Sequence, residues 1–379
     1  MTFSALAAGI VAALAGFAGS VAVVLAAAAA VHASPAETIS WITAISAATA
    51  ATTLLLTQHY RIPITTAWST PGAAVIAASA GIGLPQAIGA FLVAGALIVA
   101  TALVRPLGRL IERIPLPVAS GMLAGVLLRF VLATFESLAA KPVLVAPLIA
   151  LFFLVRLWNA AAAALVVLVA GVAWCGALGL APAGLGFTLS QVVVTAPAFD
   201  PAVIVSLAIP LYLVTMASQN LAGAAVLRAA GYQVPFNAAL GVTGAASLLI
   251  ASFGGHTVNL SAIAAAICTG PDTHADPARR WWAGIALAST YVLITLFAGS
   301  LVALLLAYPP ELMRTVAGLA LLASLMAALA NATSEVSLRL PAVLTFAVTS
   351  SGVTLLGVGA PFWGLAAGLV VMGLEKVGK

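Results

Sequence analysis

Unbroken apolar runs of about 20 residues, repeated along nearly the whole chain, constrain its fold more than any motif does. A membrane-spanning helix needs ~20 consecutive apolar residues, because the hydrocarbon core is ~30 Å thick and a helix rises ~1.5 Å per residue. Within the bilayer every backbone N–H and C=O must be paired inside the protein, which leaves helices and closed barrels. A barrel would alternate apolar and polar residues over ~10-residue segments, and these runs do not alternate. Composition agrees: 64% of the 379 residues are hydrophobic and 6% are charged, against ~25% charged in a soluble domain. A mean hydropathy of +1.22 leaves no stretch for a separate soluble domain. The pI near 9.6 comes from scattered loop arginines rather than a basic stripe, which argues against nucleic-acid binding. The chain reads as an all-α polytopic membrane protein.

Proline, glycine and charge punctuate the runs into fourteen expected spans: 4–31, 36–58, 64–80, 84–104, 115–136, 141–157, 160–179, 202–228, 235–252, 256–270, 279–306, 311–330, 337–357 and 361–375. The first has no basic residue before Arg61, unlike a secretory signal, so it is expected to be a retained span. Cys175 and Cys268 lie in apolar stretches with no Cys or His at ligand spacing; they read as packing residues, and no metal or cofactor is expected. With both termini inside, the inner segments carry Arg61, Arg105, Arg109, Arg113, Arg156, Arg228, Arg279, Arg280, Arg339, Lys376 and Lys379, and the outer ones Arg129, Lys141 and Arg314. That bias is what the positive-inside rule requires. It predicts an inner-membrane protein with cytoplasmic termini.

Seven spans per half give the halves opposite orientation, the arrangement of inverted-repeat secondary transporters. Their sites lie near the midplane, at discontinuous helices in corresponding positions of the halves. One pair of segments fits. Span three contains Thr66-Ala67-Trp68-Ser69-Thr70-Pro71-Gly72, and span ten contains Gly254-Gly255-His256-Thr257-Val258-Asn259-Leu260. Ser69 or Thr70 suits an N-cap and Pro71 the first helical turn, so a helix is expected to start near residue 70, in mid-membrane. Gly254-Gly255 would bend the backbone before a second start near Thr257. Two such N-termini meeting head to head would expose free N–H groups and partial positive charge, an anion site without a basic side chain. For either segment alone, a proline kink or a close-packed glycine pair would serve as well.

Polar residues inside spans are functional candidates. The richest cluster is Thr215, Ser218, Gln219 and Asn220 with Tyr212, on span eight; its counterpart on span one, around Phe17 and Ser20, is weaker. Interhelical hydrogen bonding is the plainer role for these groups. His256 is the one histidine deep in a span, and its chemistry suits proton transfer near neutral pH. No Asp or Glu lies securely mid-span, which disfavours a cation site. The small-xxx-small patterns Gly121/Gly125 and Gly364/Gly368 suggest close helix packing, though chance produces many such matches in a chain this rich in Gly and Ala. The nucleophile and phosphate-loop motifs of hydrolases and ATP-driven pumps are missing, so an enzyme is not expected.

The string Pro63-Ile64-Thr65-Thr66-Ala67-Trp68-Ser69-Thr70-Pro71-Gly72-Ala73-Ala74, Thr215-Met216-Ala217-Ser218-Gln219-Asn220, and Phe253-Gly254-Gly255-His256 through Asn259-Leu260 to Gly270 resemble the bacterial benzoate/proton symporter family (BenE type). The resemblance covers essentially the whole chain. That family is distantly similar to nucleobase permeases and sulfate/bicarbonate transporters, which implies a 7+7 inverted repeat. Spans 1–4 and 8–11 (residues 1–104 and 180–306) would form a core domain, and spans 5–7 and 12–14 (105–179 and 307–379) a gate domain, with strands and half-helices in spans three and ten. It implies import of benzoate or a related aromatic carboxylate with a proton, and homodimers through the gate. On this reading Trp68, Ser69, Thr70, Ser20, Phe17, Tyr212, Ser218, Gln219, Asn220, His256, Thr257 and Asn259 contact substrate, and His256 carries the proton. Another anion or a nucleobase on the same fold, or a channel-like anion pathway, are the alternatives.

Overall fold

The computed structural model describes residues 2–79, 81–104, 115–182 and 187–377. Arg105, Arg109, Arg113 and Lys379, which enter the expected charge bias, lie outside these, and of Lys376 only the backbone lies within. The chain is a multi-pass bundle of α1 (Phe3–Ala18), α2 (Val21–Ala30), α3 (Pro35–Tyr60), β1 (Thr66–Trp68), α4 (Thr70–Ala77), α5 (Leu84–Leu103), α6 (Leu116–Ala140), α7 (Pro142–Trp158) and α8 (Ala163–Ala177). The second half contains α9 (Pro201–Ala229), α10 (Phe236–Ala251), β2 (Val258–Leu260), α11 (Ala262–Thr269), α12 (Trp281–Ala307), α13 (Pro310–Ala332), α14 (Arg339–Ser351) and α15 (Ala360–Val377). Among the described residues seven helical segments are long and apolar enough to cross a membrane, with α1 and α2 forming one of them.

Span one is not the continuous helix expected over 4–31. It breaks at Gly19-Ser20, where Ser20 leaves the helical region (φ −134°) and its hydroxyl donates to the Gly16 carbonyl at 2.6 Å. A serine side chain competing for backbone carbonyls is a known way to bend a helix. Span eight carries a matching irregularity: α9 winds as π-helix over Ile204–Ala208 and Thr215–Asn220, a form that tends to mark functional positions. Span thirteen ends early, at Ser351, where Gly352 takes the left-handed conformation (φ +68°).

At the centre, β1 and β2 pair antiparallel in the register Thr66↔Leu260, Ala67↔Asn259, Trp68↔Val258. Two further bonds, Ser69 N–H to Thr257 O and Ser261 N–H to Thr65 O, both 3.0 Å, lengthen the ribbon at each end. A ribbon this deep survives only if its outer edges are also paired. Side chains do this: Thr53 Oγ1 accepts from Thr66 N–H, Ser247 Oγ from Val258 N–H and Asn220 Oδ1 from Leu260 N–H, at 2.9 to 3.0 Å.

The helix expected near Thr257 starts later. Residues 258–260 are strand, and Ser261 caps α11 by accepting from Ala264 N–H. The cause is local. Gly254 turns the chain at φ +85° where a Cβ would press on Trp41, and the polar run after it is used for strand pairing instead of capping. The two half-helix starts therefore face each other across a three-residue ribbon rather than meeting directly.

Two packed groups surround the ribbon. In one, α12 lies along α3 and α1, α10 along α5, and α2 along α4; in the other, α6 packs on α13, α14 and α15, and α7 on α8. The two glycine pairs serve the second group. Gly121 and Gly125 on α6, and Gly364 and Gly368 on α15, all sit against α14 between Pro341 and Thr349, where a Cβ would collide with backbone or with Thr345 and Thr349.

Candidate functional site

The start of α4 is built to leave donors unspent. Ser69 is fully buried, and its hydroxyl oxygen accepts from Gly72 N–H at 3.0 Å and from the Thr215 hydroxyl at 3.1 Å. Ala73 N–H bonds the Ser69 carbonyl, and Pro71 has no N–H. Thr70 N–H and the Ser69 O–H proton are then without an acceptor among the described residues. Thr257 Oγ1 lies 2.9 Å from Thr215 Oγ1, so three hydroxyls form a chain ending at the α4 N-terminus. The aligned peptides of α4 add partial positive charge at the same point.

His256 is fully buried beside this chain. Trp41 Nε1–H donates to its Nδ1 at 3.0 Å, which leaves the ring proton on Nε2, directed at the Ser69 carbonyl at 3.0 Å. The imidazole is thus held neutral, in one tautomer, between two partners. A second proton on Nδ1 would set N–H against N–H, so in this arrangement His256 is a strut between α3 and the α4 start.

The other expected residues divide. Trp68 is buried, edge-on to Phe17 at 6.0 Å and to Tyr291 at 5.6 Å, with its indole N–H unpartnered among the described residues. Thr70 is half-buried at the helix start. Ser218 and Gln219 line a cavity of about 210 Å³ with Pro71, Ser120, Ser324 and Asn331, between α4 and α9 on one side and α6 and α13 on the other. Ser218 also donates to the Val214 carbonyl at 2.6 Å. Four residues make hydrogen bonds elsewhere. Tyr212 shares a hydrogen bond with Thr101 on α5, Asn220 holds the ribbon edge, and Asn259 donates to the Leu260 carbonyl at 2.8 Å while its Oδ1 has no partner among the described residues. Ser20 is spent on the helix break.

Sequence reasoning missed Trp41, Ser120 and Ser324. Trp41 leaves a faint trace in the chain: it precedes, on the same helix, the hydroxyl-rich face Ser46, Thr49, Thr53 and Thr57, too polar for lipid. Neither cavity-lining serine stands out in its own span. No Asp or Glu lines the cavity, and no group of three or more His, Cys, Asp or Glu capable of holding a metal occurs among the described residues.

The cavity lies between the two packed helix groups and is lined by neutral polar and apolar side chains. The BenE family, described as benzoate membrane transport protein, matches residues 1–374. This chain belongs to that family. It is 38% identical over 319 residues to the inner membrane protein YdcO of Escherichia coli (strain K12), covering 84% of this chain and 82% of that protein. It is 35% identical over 321 residues to a benzoate membrane transport protein of Acinetobacter baylyi, with the same coverage. The transmembrane domain of the cyanobacterial bicarbonate transporter BicA superposes with a TM-score of 0.58 at 16% identity, over 100% of this chain and 98% of that one. That likeness fixes the fold as the inverted-repeat transporter type. The protein is a membrane transporter and not an enzyme.

Proposed function

We propose that this protein imports benzoate or a related aromatic carboxylate across the bacterial inner membrane together with a proton, by alternating access. Residues 1–104 and 180–306 act as the core domain and 105–179 and 307–379 as the gate, with both termini cytoplasmic and the gate as the face of a homodimer. The observation that carries this reading is the α4 start, where Ser69 O–H and Thr70 N–H are unspent donors at a helix N-terminus, beside a cavity with no carboxylate. Such a place favours an anion and repels nothing about it. Pro71, Leu213 and Val214 give the cavity an apolar wall for a ring, and Ser218 and Gln219 its polar end. The name of the Acinetobacter baylyi relative supports benzoate as the first substrate to try.

Energetics favour a co-transported proton. A monoanion entering against about 100 mV is opposed by about 2.3 kcal/mol, and one co-transported proton cancels that charge movement. We assign the proton to His256, whose charged form requires release from Trp41 and so belongs to a different arrangement of α3 and the ribbon. The test is uptake of labelled benzoate into proteoliposomes under an inward pH gradient. Saturable uptake that collapses with the gradient is expected. Saturable uptake indifferent to the gradient would remove proton coupling, and no saturable uptake at all would move the search to other anions and nucleobases.

A further inference from the structure

A second cavity lies at the other end of α4. It measures about 740 Å³ and is lined from one helix group by α2 and the last turn of α4, and from the other by α6 and α13. Ligand pockets commonly run ~300–1,000 Å³. Its lining contains Arg129, Arg314 and His32, and no Asp or Glu. Neither guanidinium has a salt bridge or hydrogen bond among the described residues; Glu311, one turn before Arg314, is held by Lys141 at 3.0 Å. Most of the remaining wall is apolar, including Leu25, Phe130 and Met313.

We propose that this cavity is a second carboxylate-binding site, separate from the α4 start, which collects an aromatic carboxylate at the mouth of the cleft. Two guanidiniums outside any salt bridge, although Arg314 lies near enough to Glu311 to feel its charge, are suited to a carboxylate, since each presents paired N–H donors in matching geometry. An inorganic anion would gain nothing from the leucine, phenylalanine and methionine surface, and a neutral aromatic nothing from the cations. An amphipathic anion uses both. The site also concentrates such an anion beside the passage it must enter. The aromatic class of the ligand rests on the proposed function above; the cationic, apolar-walled cavity does not.

The test places one cysteine in the cavity wall, Ala29→Cys, in a chain with Cys175→Ala and Cys268→Ala, reconstituted in nanodiscs so that both faces are open. Reaction with a negatively charged methanethiosulfonate is compared with a positively charged one. The anionic reagent is expected to react faster by about tenfold or more, the preference to vanish in Arg129→Gln/Arg314→Gln, and millimolar benzoate to slow the reaction. The Arg129→Lys/Arg314→Lys pair keeps the charge and serves if the glutamine pair does not fold; it is expected to keep the reagent preference and lose the protection by benzoate. Equal reagent rates would overturn the site. Uptake of benzoate by the same cysteine variant in proteoliposomes separates the two readings. Uptake without protection overturns the second site and leaves the transport function standing; protection without uptake supports the site and removes the transported substrate.

Discussion

His256 shows how much of a side chain's chemistry is set by what holds it. Its Nδ1 accepts from Trp41 and its Nε2 donates to Ser69 O, so protonation must expel a donor. If this histidine carries the coupled proton, Trp41→Phe removes the group that opposes protonation, and the alkaline limb of uptake should move to higher pH with benzoate affinity little changed. His256→Gln should leave uptake independent of pH. An unchanged pH profile in both variants would take His256 out of the coupling. Ser218 and Gln219 face the small cavity from the π-wound turn of α9. A glutamate at either position puts a like charge near the bound anion. Apparent benzoate affinity should fall by tenfold or more, which is about 1.4 kcal/mol; binding that stays at the wild-type level would place substrate elsewhere.

The half-helices depend on their serine caps. Ser69→Ala removes the acceptor for Gly72 N–H and Thr215, and it also removes a free donor. Loss of such a cap costs about 0.5–2 kcal/mol, so this variant should melt earlier and bind benzoate more weakly. Ser261→Ala removes the equivalent cap on α11, whose start lines neither of the two cavities, and should lower stability with little effect on affinity. Isothermal binding with thermal melting separates the two effects. In the second helix group, Gly125 lies against Phe346 O and Thr349. Gly125→Val should destabilise by about 1–3 kcal/mol through overpacking, seen as a lower melting temperature with unaltered affinity in the fraction that folds.

The two cavities lie at opposite ends of α4: Pro71 touches the smaller and Ala77 the larger. Six residues of one short helix, about 9 Å at ~1.5 Å per residue, separate them, and both lie between the same two helix groups. Movement of one group against the other could widen one cavity while narrowing its counterpart, which is the geometry alternating access needs. The proposed orientation puts the larger cavity outside. In sealed cells, an impermeant thiol reagent should reach Ala29→Cys and not Asn331→Cys; the reverse pattern would invert the topology.

The residues themselves determined the membrane-spanning class and a helix start near residue 70 in the third span, because apolar length and proline-with-hydroxyl chemistry are local properties; the structure selects Ser69 over Thr70 as the cap. The fate of the polar run at 256–261 was not local. Whether it starts a helix or pairs as a strand depends on Thr65–Ser69 lying alongside and on Ser247 and Asn220 closing its edge. The break between α1 and α2 and the π-turns of α9 were likewise invisible, since the serine at position 20 bends the chain by reaching a carbonyl one turn back. Tyr212, Asn220 and Asn259 read as substrate contacts because they are polar and deep in the chain, and the folded protein gives each a hydrogen bond within itself. Deep in a membrane, a polar side chain must find a partner, and only the packed arrangement of helices decides whether that partner is a backbone, another side chain or a cavity.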